Sequence, residues 1–104
     1  MIVVIDDLDN IQIVSPNDFE KFHIQCSQKK SASEICELLG GGSKVIDDEH
    51  IWLSAETVRD VVPEKIDSWE RGFSQMIDYA SSKGWTENNG ALIRSHIEWA
   101  KVKK

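Results

Sequence analysis

The chain is poor in cysteine, in positive charge and in long apolar runs, and each shortage removes a class of protein. Two cysteines among 104 residues are too few for a disulfide-stapled secreted scaffold. The spacing of Cys26 and Cys36 fits no zinc pattern either, so both are expected as buried free thiols. The 12 basic side chains are outnumbered by 18 acidic ones, for a formal charge of −6. That balance opposes docking on a phosphate backbone or an anionic membrane surface, so neither nucleic acid nor a membrane is expected as a partner. The terminal "KVKK" is the one basic cluster and reads as a solvated tail. The apolar run Ile2–Ile5 is far too short for a signal peptide or a membrane span, and a cytoplasmic protein is expected.

What is present suits a single compact domain over 1–104. Hydrophobic residues make up 40 % of the chain and charged ones 29 %, an ordinary globular balance. Ile2–Ile5 reads as a buried strand, and Ile11–Val14 is placed to pair with it across the acidic turn at 6–10. That turn lacks the glycine and the distal glutamate of a calcium loop. Phe22, Ile24 and Cys26 alternate with His23, Gln25 and Ser27, which predicts a third strand over 21–27.

Ser31 and Glu34 have the spacing of a capping box, Ile35, Leu38 and Leu39 share a helical face, and the triple glycine at 40–42 stops the helix. The glycines are expected to form a flexible linker, since no Lys-Ser/Thr pair follows to make a phosphate loop. A strand over 50–53 runs into a helix capped by Ser54, with Val58, Val61 and Val62 as its buried stripe and Pro63 as its end. The strongest helix covers 66–83, where Ile66, Trp69, Phe73, Met76, Ile77 and Ala80 recur at helical spacing and Gly84 follows. Asn88 to Gly90 is a turn signal, and Leu92–Trp99 is the last strand. No segment repeats. The order of elements predicts an α+β fold: a mainly antiparallel sheet of four to five strands with two to three helices packed on one face.

Alternation then sorts the strand residues. Phe22, Ile24, Cys26, Ile51, Leu53, Ile93, Ile97 and Trp99 would meet the helices, leaving His23, Gln25, His50, Trp52, Arg94, His96 and Glu98 together on the opposite face. Two proton-transfer types, a fixed cation, an amide and an aromatic wall are unusual for a merely solvated face. In this reading His50 or His96 carries a proton, and Glu98 orients it or acts as the base. Arg94 holds an anionic oxygen, while His23, Gln25 and Trp52 bind substrate. An apolar or aromatic carbonyl compound would suit Trp52 and Arg94 together. A second copy of the chain is expected to roof the face, giving a homodimer. No cofactor is expected. The three histidines lack the short-range pairing, such as His-x-His, that favours a metal, so no metal site is assigned.

The function these residues point to is a small ligand-binding protein, and one able to run cofactor-independent acid/base chemistry. The alternative is a non-enzymatic acidic interaction module that neutralises or regulates a basic protein, using acids such as Asp6, Asp7, Asp9, Asp47, Asp48 and Glu49. In the segments "HIWLSAETVRD", "WERGFSQMIDYASSKGW" and "IRSHIEWA" the chain resembles short bacterial proteins of about this length. That resemblance implies a stand-alone compact domain and carries no activity with it.

Overall fold

The computed structural model describes residues 1–20, 22–62 and 66–99. Lys21, Pro63 and the tail "KVKK", on which three of the sequence expectations rest, lie outside the described residues. Among the described residues, seven strands and three helices follow one another in the order β1 (Ile2–Ile5), β2 (Ile11–Val14), β3 (His23–Cys26), α1 (Ala32–Leu39), β4 (Lys44–Asp47), β5 (His50–Ser54), α2 (Ala55–Val61), α3 (Asp67–Ser82), β6 (Thr86–Glu87) and β7 (Leu92–Trp99). The fold is α+β. The sheet, however, is mixed and has seven strands, where four to five mainly antiparallel ones were predicted.

Its strand order is β2-β1-β3-β7-β5-β4, with β6 beside β7. The pairs β1/β3 and β3/β7 are parallel, and the rest are antiparallel. Parallel neighbours must be joined by long excursions, and the chain supplies them: β2 intervenes between β1 and β3, and everything from α1 to β6 lies between β3 and β7. Local patterning carries no signal for such distant partners. β4 went unrecognised because all four of its residues are exposed, so no buried face marks it as an edge strand.

Several local signals are realised as hydrogen bonds. Asp6 turns β1 into β2 by accepting from the backbone N–H of Leu8 and of Asn10, each at 2.9 Å, with Asp9 in the left-handed region. Ser31 and Glu34 close the capping box in both directions at 3.1 Å. Ser54 caps α2 through the N–H of Thr57. α3 has no side-chain cap and is held by its buried stripe. Trp69 and Phe73 stack at 4.9 Å between ring centroids, and the Trp69 indole N–H donates to the carbonyl of Pro16 at 3.0 Å.

The glycine segment is not a loose linker. Gly40, Gly41 and Gly42 all have positive φ, and a Cβ on Gly41 would stand 2.6 Å from the hydroxyl oxygens of both Ser54 and Thr57. The turn is fitted against the start of α2, which is why it must be glycine. The inward residues Val3, Ile5, Ile24, Cys26, Ile51, Leu53, Ile93 and Ile97 join Ile35, Val58, Trp69 and Phe73 in one core cluster. Cys26 and Cys36 are buried free thiols, as expected.

Candidate functional site

β7 is the axis of the site. On one edge it pairs with β5 along five residues, so that His50 lies opposite His96 and Trp52 opposite Arg94. On the other edge β6 takes its first residues, Leu92 and Ile93, and β3 takes Ile97, Glu98 and Trp99. Gln25 thus stands opposite Glu98, and continuing the parallel register by one sets His23 level with His96. All seven outward residues named from the sequence therefore share a sheet face, alternating with the buried Ile24, Cys26, Ile51, Leu53, Ile93, Ser95 and Ile97.

A shared face is not yet a shared site. The structure brings His50, Arg94 and His96 onto one pocket of about 280 Å³ and leaves His23, Gln25, Trp52 and Glu98 off its lining. The pocket lies where the starts of β3 and β6 approach one edge of β7 from opposite ends, leaving the middle of that edge without a ladder partner among the described residues. In that notch the Arg94 N–H still donates to the Trp85 carbonyl at 2.8 Å. The apolar wall comes from Phe22 ahead of β3, Met76 and Tyr79 on α3, and Trp85. The chain's own helix α3 thus supplies one wall of the pocket.

The imidazoles are differently partnered. The His50 Nδ1 is 2.9 Å from Asp47 Oδ1, across the tight turn between β4 and β5. An ionised carboxylate only accepts, so this contact places the His50 proton on Nδ1 and leaves the lone pair on Nε2. Asp47 also accepts the backbone N–H of Glu49 at 2.8 Å. That bond first, and the His50 bond second, hold its carboxyl below the ordinary value of 3.8. His96 stands 5.1 Å from His50 between ring centroids. Its Nε2 is 3.5 Å from Glu49 Oε1, and its Nδ1 is 3.8 Å from Glu98 Oε2. Glu98 therefore reaches His96, while the group oriented on His50 is Asp47.

Arg94 is exposed and forms no salt bridge among the described residues, although Lys30, Lys44, Arg59 and both histidines of the pocket do. A fixed cation without a salt bridge among the described residues, at a pocket with a largely apolar wall in a chain of charge −6, is a natural anion anchor. Among the described residues no three His, Cys, Asp or Glu side chains are grouped to hold a metal ion. No helix among the described residues is long and apolar enough to cross a membrane.

Tyr79 and Trp85 were not singled out by the sequence; Phe22, which lines the pocket, had been placed among the helix-facing residues, and Asp47 only among the acids of an interaction surface. The carboxylate had a signal, the Asp-x-x-His spacing across a turn, but it sits in the run Asp47-Asp48-Glu49 that reads as solvent-facing charge. Met76 was assigned to the core, and it is only half-buried because its other side faces the pocket. No family model, no curated protein and no solved structure matches the chain.

Proposed function

We propose that the chain binds a small organic anion with an apolar body in the notch beside β7, with Arg94 as the anchor and His50 as the proton carrier. The observation that carries this reading is the Arg94 guanidinium, without a salt bridge among the described residues, on a pocket whose apolar wall includes Phe22, Met76, Tyr79 and Trp85 and whose lining also includes Glu20. A carboxylate accepts two parallel N–H bonds from guanidinium, and an apolar body replaces water against the aromatic wall. The Asp47–His50 pair adds a base lone pair at the same pocket, so a bound carbonyl compound could exchange a proton with His50 Nε2. His96 contributes a further donor.

Titration of ¹⁵N-labelled protein with 3-phenylpropanoate tests the binding. Amide shifts should concentrate on Phe22, Met76, Tyr79, Trp85 and Arg94, and Arg94→Ala should weaken the affinity by about 10- to 100-fold, the worth of a charge-assisted pair. Shifts scattered over the surface, or an Arg94 variant that binds equally well, refute the assignment.

The interaction-module reading keeps one specific support. β1, β3 and β7 run parallel and β5 antiparallel to them, so the turns carrying Asp6, Asp7 and Asp9 and those carrying Asp47, Asp48 and Glu49 lie at the same end of the sheet. A basic partner docked there would be released by salt, whereas ligand binding in the pocket should survive replacement of Asp7 and Asp48 by Asn.

A further inference from the structure

The pocket does not end at Tyr79. A second depression, of about 560 Å³, continues along α3, and Phe19, Glu20, Met76 and Tyr79 line both. The two are parts of one groove. Its far end depends on residue 72 being glycine: a Cβ there would stand 2.4 Å from the Phe19 ring, so Phe19 can pack closely against the helix. From Gly72 to Tyr79 the helix advances about 10 Å, at about 1.5 Å per residue.

The charges along this groove are ordered. The cation Arg94 lines only the notch, while among the described residues the lining of the continuation includes no lysine or arginine; its polar groups are the carboxylate of Glu20, which also lines the notch, the amide of Gln75 and the hydroxyl of Tyr79. A ligand lying in it would carry its negative charge at one end and none further along.

We infer that the groove takes a chain-like monocarboxylate, with its head on Arg94 and an alkyl tail running along Phe19 and Met76 toward Gly72, and that Glu20 selects against a second carboxylate. This rests on the anion-binding reading above and adds the substrate class and a length. An extended alkyl chain advances about 1.3 Å per carbon, so a groove of about 10 Å accommodates a tail of about eight carbons.

Isothermal titration with butanoate, hexanoate, octanoate, decanoate and dodecanoate, each kept below its micelle concentration, reads the length directly. A fully buried methylene is worth about fourfold in affinity; in a groove open on one side about twofold per methylene is expected, levelling off near decanoate. Octanoate should bind at least about tenfold more tightly than octanol, which lacks the head charge, and than octanedioate, which presents a second one to Glu20. Glu20→Gln, an exposed change, should narrow the octanoate to octanedioate gap by about threefold or more; because Glu20 lines the notch as well, octanoate itself should bind no more weakly.

Gly72→Ala should displace Phe19 and remove the gain from butanoate to decanoate while leaving butanoate in place; if that variant does not fold, the Glu20 pair of measurements still decides. A flat series from butanoate to decanoate, with binding still dependent on Arg94, overturns the chain-like ligand and leaves the anion site standing. An unchanged octanedioate gap in Glu20→Gln overturns the selecting role of Glu20. If no carboxylate binds, or none needs Arg94, the anion site itself is wrong.

Discussion

Replacing Phe73 by Ala probes what fixes α3, the helix that supplies one wall of the groove. The ring is 0 % exposed, stacks on Trp69 at 4.9 Å with an interplanar angle of 18°, and has the Arg59 guanidinium 5.0 Å above its centroid. Truncating a fully buried Phe costs about 3–5 kcal/mol in lost transfer energy and cavity formation. The Trp69 stack and the cation above the ring place this case in the middle or upper part of that range. A domain of this length has about 5–15 kcal/mol in total, so Phe73→Ala should fold but only just.

With a urea slope of about 1.5 kcal/mol per molar, a loss of about 4 kcal/mol moves the unfolding midpoint down by about 2–3 M. Tryptophan fluorescence, dominated near this site by Trp69, follows the transition. Phe73→Leu keeps most of the volume and should lose less than about 1.5 kcal/mol. Arg59→Met removes only the cation, which is also paired with Glu70 at 3.3 Å, and should lose under about 1 kcal/mol. A Phe73→Ala loss below about 1.5 kcal/mol at an unchanged slope would show that this ring does not hold α3 to the sheet.

Three further outcomes are expected. Asp6, Glu34 and Asp47 have carboxyls held below the ordinary values of 3.8 and 4.5, chiefly by the backbone N–H groups of Asn10, Ser31 and Glu49 respectively. Because each binds its proton more readily in the unfolded chain, their contribution is complete above about pH 5 and is lost as pH falls through about 4 and below; urea midpoints from pH 6 to 2 should decline on this path, and less steeply in a variant with all three amidated. Asp47→Asn should raise the fraction of His50 protonated on Nε2, seen in ring ¹⁵N shifts, while His96 is unaffected; an unchanged His50 tautomer would mean that Asp47 does not orient it. Gly41→Ala should lower Tm more than Gly42→Ala, because both have positive φ but only Gly41 meets Ser54 and Thr57; equal losses would mean that backbone strain is the whole effect.

Elements whose cause is local could be read from the sequence. β1, β2 and β7 run over the residues their patterns named, and the capping box at Ser31 and the Ser54 cap are both formed. Even Trp69 and Phe73 are buried where the helical stripe put them. The strands that escaped notice are those without a buried face or a usable length: β4, exposed throughout, and the two-residue β6. The parallel pairings escaped for a different reason. The register of β3 against β7 depends on which distant segment lies between β1 and β5, and nothing within β3 encodes that.

The same division runs through the site. Alternation within a strand is a local property, so the seven residues of the outward face could be assembled from sequence before their strand order was known. A pocket depends on what stands over a face, and here that is set by β6 and β3 sharing one edge of β7 and by α3 lying across the gap. Hence Arg94, His50 and His96 were found together, whereas Trp52, Gln25 and His23, equally well placed on the face, lie beyond the reach of Met76 and Tyr79. The partner of His50 was missed because the sequence reading looked along β7, to Glu98, while the turn from β4 into β5 folds Asp47 back onto the ring at a distance of three residues. A carboxylate supplied by a turn is fixed by its own backbone bonds, as Asp47 is by Glu49. It therefore orients an imidazole with less loss of side-chain freedom than a glutamate on an open sheet face, which must give up its rotamers to make the same contact.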